Sequence, residues 1–209
     1  MAAFKVHGSL SSIDTQRVLA CLCEKGLKFV LVSDDMKARA DEQEPIVSSH
    51  PFGQVPALER GDLKISGSRV ITQYIAYEFS KKGTQLISPG SEATVEKWME
   101  FEALRYDPTA SKLAWEQFHK PLFGMMTNTA AVEENETKLA KVLDYYETHL
   151  SDSKYLAGDC FSLADMHHIP VTQILLGTET NNLFESRPHA NAWVTDITAR
   201  AAWTLVCLL

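Results

Sequence analysis

Cysteine and histidine are the first residues of this chain whose spacing could do chemistry. The four cysteines are Cys21, Cys23, Cys160 and Cys207. The first two lie two residues apart in a helical pattern, where side chains point about 200° apart and do not bridge easily. No Cys-x-x-Cys occurs, which removes a zinc knuckle and a dithiol redox site. His167 and His168 are adjacent, diverge on a helix and have no further ligand at i+4, so no metal site is expected.

Ser12 suits a different chemistry, because it follows a strand and a loop and opens the first predicted helix. A thiol must ionise to be a useful nucleophile. A hydroxyl at a helix N-terminus can stabilise a thiolate by donating one hydrogen bond, aided by free amides and the helix dipole. Serine is equally a common helix N-cap with no chemical role. The helix boundary alone therefore leaves both interpretations open.

The elements that would position Ser12 form a small α/β layer with the order β-α-β-α-β-β-α. The patterns predict strands over Phe4–Val6 and Phe29–Val32, a first helix ending at Gly26, a weakly helical stretch over 34–50, a hairpin of Val55–Leu58 with Leu63–Ile65, and a helix after Ser68 over Val70–Phe79. Residues 1–82 are therefore predicted to form one α/β domain.

Strand signals disappear after residues 83–90, which are predicted to be a linker. Helices are predicted over Ser91–Phe118, Ala130–Leu150, Ser162–Gly177 and Pro188–Val206. Ser162 and Asp165 are spaced to form a capping box at the third of these helices. Residues 91–209 are therefore predicted to form an all-helical domain.

The net charge and the hydropathy pattern limit the classes of partner that the protein is expected to bind. Its 20 Lys and Arg residues against 27 Asp and Glu residues give a formal net charge of −7. That balance disfavours a surface for nucleic acid or anionic lipid. No apolar run reaches the roughly 20 residues that span a bilayer, and the N-terminus lacks the apolar stretch of a secretory signal. We therefore expect a cytoplasmic protein without nucleic-acid or membrane partners.

Six segments taken together resemble plant phi-class glutathione transferases. They are residues 8–18 (GSLSSIDTQRV), 51–58 (PFGQVPAL), 66–76 (SGSRVITQYIA), 107–113 (DPTASKL), 154–159 (KYLAGD) and 167–170 (HHIP). The resemblance covers nearly the whole chain. It implies a thioredoxin-like N-terminal domain, an all-α C-terminal domain and a homodimer. The activity implied is conjugation of glutathione, a co-substrate, to hydrophobic electrophiles, without a cofactor and with hydroperoxide reduction as a further possibility.

The resemblance also implies roles for individual residues. In the family pattern Ser-x-x-Thr-x-Arg-Val, counted back from Arg17-Val18, Ser12 takes the catalytic place and Ser11 falls one position earlier. Gln54, Val55 and Pro56 form the segment that binds glutathione, with a cis Val55–Pro56 bond and the Val55 backbone paired with the cysteinyl backbone.

The γ-glutamyl end of glutathione is assigned to the start of the next helix. Ser68 would receive its carboxylate there, at a positive helix end. Gly67 stands where the family usually has Glu or Gln, so a partner for the γ-glutamyl ammonium is missing. Asp41 and Glu42 stand where the family usually has His-Lys for the glycyl carboxylate. These departures predict weakened glutathione affinity, unless an alignment gap brings Lys37 or Arg39 into the vacant place.

The electrophile pocket is expected between the two domains, where small-molecule sites often form. Its candidates are Leu10, Met36, Trp115, Phe118, His119 and Phe123. Phe52 is expected to project into the partner of a homodimer.

Two other functions are compatible with the same fold. One is a non-catalytic carrier of planar aromatic metabolites, which a damaged glutathione site would favour. The other is a thiol transferase, which needs a cysteine at or beside Ser12 and finds none.

Overall fold

The computed structural model describes residues 3–33 and 55–209, which group into two compact units. The first unit joins the chain up to Gln85 with Ala201–Leu209, and the second comprises Leu86–Arg200. The predicted helical stretch over 34–50 lies outside the described residues. No helix in the described part of the chain is long and apolar enough to cross a membrane.

A four-stranded mixed sheet forms the centre of the first unit. Its strands are β1 (Phe4–His7), β2 (Phe29–Val32), β3 (Ala57–Arg60) and β4 (Leu63–Ser66), in the spatial order β2-β1-β3-β4. β1 pairs with β2 in parallel and with β3 antiparallel, and β3 pairs antiparallel with β4. Val6 and Leu58 lie opposite each other at its centre and are fully buried. The predicted strands and hairpin are confirmed.

Two amphipathic helices of this unit, α1 (Ile13–Glu24) and α2 (Ser68–Glu78), pack against each other. Each buries an apolar stripe at helical spacing, represented by Leu19 and Leu22 on α1 and by Ile71 and Ile75 on α2. Because both helices begin next to loops that leave the sheet, this packing also brings their first turns together.

The second unit contains helices and no β-strand among the residues that the structure describes. Its α-helices are α3 (Glu92–Phe101), α4 (Asp107–Ala114), α5 (Lys120–Leu122), α6 (Thr129–Leu150), α7 (Leu163–Met166), α8 (Ile169–Leu175), α9 (Asn181–Glu185) and α10 (Pro188–Thr198). Its core contains the buried side chains Trp98, Tyr106, Leu143 and Tyr146.

The prediction of one continuous helix over Ser91–Phe118 was too simple. Two π-helical turns, Glu102–Tyr106 and Trp115–His119, separate α3, α4 and α5. The helix after each turn has a proline as its second residue, Pro108 in α4 and Pro121 in α5. Proline has no amide to donate to the carbonyl four residues earlier, so the regular hydrogen-bond ladder is interrupted there.

The other long helices are also divided. Pro170 stands near the start of α8, which accounts for the break between α7 and α8 within the predicted Ser162–Gly177 helix. The predicted Pro188–Val206 helix is divided into α10 and a last helix, α11 (Ala201–Cys207). Nothing in the sequence pattern predicted the short α9.

Helix α11 groups with the first unit, although residues 91–209 were predicted as one helical domain. It packs against α1 and buries Trp203 and Val206. Burial of this apolar face explains why the end of the chain returns to the α/β layer.

The predicted linker 83–90 is fixed at both ends. A Cβ atom on Gly83, whose φ is +53°, would lie 2.2 Å from the carbonyl oxygen of Glu24, so only glycine fits this close approach. The amide of Thr84 donates to the same oxygen at 2.9 Å. Leu86 is buried, and its carbonyl accepts from the amide of Leu163 at 3.0 Å. The segment is therefore divided between the units.

The predicted capping box is confirmed at the start of α7. Asp165 accepts from the amide of Ser162 at 3.0 Å, while the Ser162 hydroxyl caps the helix. Asp165 also accepts from the Leu156 amide and the Trp193 indole, each at 2.9 Å. Burial raises the pKa of Asp165, and these hydrogen bonds oppose the shift. One carboxylate thus joins three parts of the second unit.

Asp165→Ala is expected to lower the free energy of unfolding by about 3 kcal/mol or more, because several buried donors lose their acceptor together. Asp159→Ala is the matched control, since this side chain is exposed one turn before the helix. Chemical denaturation of both variants checks the difference. A similar, small loss in the two variants would contradict the structural role of Asp165.

Candidate active site

Ser12 is the N-cap residue of α1, with extended backbone angles (φ −85°, ψ 121°). Its side-chain oxygen accepts from the amide of Thr15 at 3.3 Å, and its carbonyl accepts from the amide of Gln16 at 2.9 Å. The side chain is half-buried. Since the hydroxyl only accepts in this cap, its proton can be donated to another group.

Ser11 lies in a different environment, although it is adjacent in sequence. It is exposed, its hydroxyl lies 2.8 Å from that of Ser9, and its amide donates to the same Ser9 oxygen at 3.3 Å. It therefore belongs to the loop before α1. Of these two serines, only Ser12 has its hydroxyl at the N-terminus of α1, where the helix dipole favours negative charge.

The Val55–Pro56 peptide bond is cis, which confirms the prediction for this bond. Val55 is 43% exposed just before β3, whereas Pro56 is buried. The carbonyl of Pro56 accepts from the amide of Gly67 at 3.2 Å, which connects this segment to the start of α2. Gln54, the preceding residue of the predicted site, lies outside the described residues.

Ser68 is the first residue of α2 and is almost completely buried. Gly67 before it is the N-cap residue, with φ +90° and no side chain to satisfy the first amides of the helix. The hydroxyl of Ser68 donates to Oδ1 of Asp14 at 2.6 Å. The fully buried Arg17 guanidinium donates to the Ser68 hydroxyl at 2.9 Å and also contacts Asp14 Oδ1. These contacts join the first turns of α1 and α2.

A cavity of about 450 Å³ opens where those two turns meet. It is lined by Asp14, Val55, Pro56, Gly67, Ser68, Arg69 and Val70. The structure thus brings together the predicted glutathione-binding residues that it describes. It adds Asp14, which is not one of the predicted site residues. The only sequence signal for Asp14 was its acidic side chain two positions after Ser12. Its hydrogen-bond partner Ser68 lies 54 residues further along the chain, so only the packing of the two helices shows this contact.

Four predicted electrophile contacts lie close together in the second unit. The ring of Trp115 lies 6.1 Å from that of His119 and 6.3 Å from that of Phe123, and the Phe118 and His119 rings are 5.2 Å apart. Trp115, Phe118 and Phe123 are exposed. Phe118 also lines a larger cavity, about 850 Å³, that lies wholly in this unit. We call these four residues the aromatic cluster.

Buried Glu116 fixes the chain beside the aromatic cluster. Its carboxylate contacts Lys120 at 2.6 Å and Lys112 at 3.0 Å, and it accepts from the amide of Asn128 at 2.9 Å. Its carbonyl accepts from the Thr127 hydroxyl at 2.9 Å. The hydrogen bond from Lys120, followed by that from Asn128, lowers the pKa of Glu116 to about 2.

Leu10 is partly exposed in the loop before α1. Met36, Asp41, Glu42 and Phe52 lie outside the described residues.

His167 and His168 are buried, and His168 contacts the Tyr146 hydroxyl at 2.8 Å and the Ala164 carbonyl at 2.7 Å. Within residues 3–33 and 55–209, no group of three or more His, Cys, Asp or Glu side chains could hold a metal ion.

Known protein families match both units. The model for the glutathione S-transferase N-terminal domain matches residues 2–77, and that for the C-terminal domain matches residues 106–201. The chain therefore belongs to the glutathione S-transferase family. The expected fold class, a thioredoxin-like α/β domain followed by an all-α domain, is confirmed.

Individual relatives place the chain in the plant phi class. Glutathione S-transferase F6 of Arabidopsis thaliana is 53% identical over 201 residues, which cover 96% of this chain and 97% of that relative. Glutathione transferase F7 from Populus trichocarpa matches with a TM-score of 0.92 and 42% identity, over 99% and 98% of the two chains. Glutathione S-transferase I from mais, solved with an atrazine glutathione conjugate, matches with a TM-score of 0.89 and 32% identity, over 99% and 97%.

Glu116→Gln is expected to make stability less dependent on acidic pH. A carboxylate with a lowered pKa in the folded state stabilises the protein above its unfolded pKa of about 4.3, and this contribution is lost as the pH falls towards 2. Denaturant midpoints measured from pH 6 to pH 3 should therefore fall more steeply for the wild type than for the variant. Glu133→Gln, an exposed change in α6, is the control and should follow the wild type. Identical slopes for Glu116→Gln and wild type would contradict the role of Glu116.

Proposed function

We propose that this protein conjugates the thiolate of glutathione to hydrophobic electrophiles, with the Ser12 hydroxyl stabilising the thiolate. The observation that carries this proposal is the environment of Ser12. Its oxygen accepts from the amide of Thr15, which leaves the hydroxyl proton to be donated at the positive end of α1. Membership of the glutathione S-transferase family supports the reaction class.

The cavity between the first turns of α1 and α2 suits the binding of glutathione. Exposed Val55 supplies a backbone edge for the extended cysteinyl part of the tripeptide, as an added strand would use. The first amides of α2, beginning with that of Ser68, are placed for the γ-glutamyl carboxylate. Gln54 is assigned to the same binding segment by the resemblance.

The chemical step needs only a stabilised thiolate and a correctly placed electrophile. The thiol of bound glutathione loses its proton to solvent, and Ser12 donates a hydrogen bond to the sulfur anion. The sulfur lone pair then forms a bond to the electrophilic atom, and the leaving group departs with the electron pair of the broken bond. Glutathione is consumed as a co-substrate, and the reaction requires no metal or prosthetic cofactor.

The aromatic cluster is proposed to contact the electrophile. Its exposed rings offer apolar surface that a soluble protein would otherwise bury, and flat aromatic substrates stack favourably on such rings. The relative from mais that was solved with an atrazine glutathione conjugate supports an aromatic substrate class. Leu10 and Met36 remain predicted as further contacts of the electrophile.

Association and location are further parts of the proposal. The resemblance implies a homodimer, with Phe52 as an aromatic anchor at the interface. A cytoplasmic location is proposed because the net charge of −7 disfavours binding to anionic lipid surfaces.

Ser12→Ala is expected to lower the rate of conjugation by roughly 10²-fold or more, because it removes the donor to charge on the sulfur. Ser11→Ala is the matched control and should cost much less, since Ser11 bonds only within the loop. The measurement is kcat/KM with glutathione and an aryl halide. Equal losses of kcat/KM in the two variants, or a larger loss in Ser11→Ala, would contradict the proposed role of Ser12. A wild type that binds glutathione but catalyses no conjugation would favour the carrier function.

The double change Asp41→His and Glu42→Lys is expected to lower the KM for glutathione more than it alters kcat. The change replaces two carboxylates by cations for the glycyl carboxylate, which is ground-state binding. Steady-state kinetics at two salt concentrations measure the effect, since the gain should shrink at high salt. Tight wild-type binding that these changes do not affect would show that other residues hold this end of the peptide.

A further inference from the structure

Asp14 is the acidic residue that the structure adds to the glutathione cavity. It lies in the first turn of α1 and lines the cavity together with Val55 and Ser68. It is the only carboxylate among the described residues that line the cavity. The family resemblance expects a Glu or Gln at position 67, where this chain has glycine.

One oxygen of the Asp14 carboxylate makes its contacts inside the protein. Oδ1 accepts from the Ser68 hydroxyl at 2.6 Å and also contacts Arg17. Within the described part of the chain, no hydrogen bond or ion pair uses Oδ2. The side chain is 52% exposed, so this second oxygen can accept a hydrogen bond from a ligand.

Arg17 holds the carboxylate in place without closing the cavity. Its guanidinium is fully buried and contacts both Asp14 and Ser68, so it keeps the two side chains at a fixed separation. Because the guanidinium is buried while the Asp14 side chain is half exposed, the ion pair leaves part of the carboxylate accessible from the cavity.

The γ-glutamyl end of glutathione carries an ammonium and a carboxylate on the same carbon atom. A site for such a zwitterion needs an anion-binding group and a cation-binding group side by side. The first amides of α2, including that of Ser68, supply the former. The carboxylate 2.6 Å from the Ser68 hydroxyl supplies the latter.

We infer that Asp14 binds the γ-glutamyl ammonium of glutathione and replaces the acceptor that Gly67 lacks. This inference rests on the proposed function, since it concerns the same cavity. The sequence alone predicted that this ammonium has no partner, because Gly67 replaces the Glu or Gln of the family; Asp14 would supply that partner. The remaining weakness in glutathione binding would then lie only at the glycyl end, to which the resemblance assigns Asp41 and Glu42.

The test compares two thiols in each protein, glutathione and glutaryl-cysteinyl-glycine, which lacks only the α-amino group. The wild type should prefer glutathione in KM by about tenfold or more, as expected for a hydrogen bond between charged groups. Asp14→Asn should remove most of that preference, mainly by raising the KM for glutathione, with little change for the analogue. Asp62→Asn, an exposed change in the β3–β4 turn, is the matched control and should keep the preference.

The ratio between two thiols is measured within one protein, so general damage to the site cancels. Asp14→Glu keeps the charge and should retain part of the preference even if the Asn variant folds poorly. Equal loss of both thiols in Asp14→Asn would show that Asp14 only positions Ser68, and equal KM values in the wild type would also overturn the inference. A wild type that binds neither thiol would instead overturn the proposed function, and this inference with it.

Discussion

The buried guanidinium of Arg17 is the constraint on which the candidate site depends. An arginine without solvent access is tolerated only where its charge is paired and its donors are bonded. Here the partners come from both helices, Asp14 on α1 and Ser68 on α2. The requirement to satisfy one charge therefore sets the distance between two helix starts. The cavity that opens between those starts is a consequence of that pairing.

The second unit uses buried carboxylates in a comparable way. Asp165 joins a helix start, a loop amide and the Trp193 indole, and Glu116 joins two lysines to a loop amide. Burial and hydrogen bonding act in opposite directions on the pKa of Asp165, whereas hydrogen bonds outweigh desolvation at Glu116 and lower its pKa. In each case a single carboxyl group joins separate segments of the chain. The π-helical turn Trp115–His119 contains Glu116, so the same contacts fix its position.

The sequence was a good guide where local rules decide the structure. Hydrophobic alternation and turn residues located the strands, and the spacing of Ser162 and Asp165 located a capping box. The cis Val55–Pro56 bond came from the family resemblance, since the local residues do not choose between isomers. Helix continuity was overestimated, because hydrophobic periodicity does not register that Pro108, Pro121 and Pro170 lack the amide that a continuous helix needs. Asp14 was missed because its importance arises from a contact across 54 residues that no local pattern encodes.

The return of α11 to the first unit makes the helical unit an insertion within the α/β unit. A fragment that ends at Gln85 would lack the segment that covers the apolar side of α1 with Trp203 and Val206. Cutting the chain between the units would not release two independent halves, since the first unit needs both ends of the polypeptide. A reporter fused after Leu209 would be attached to the unit that contains Ser12, although in sequence it follows the helical segment.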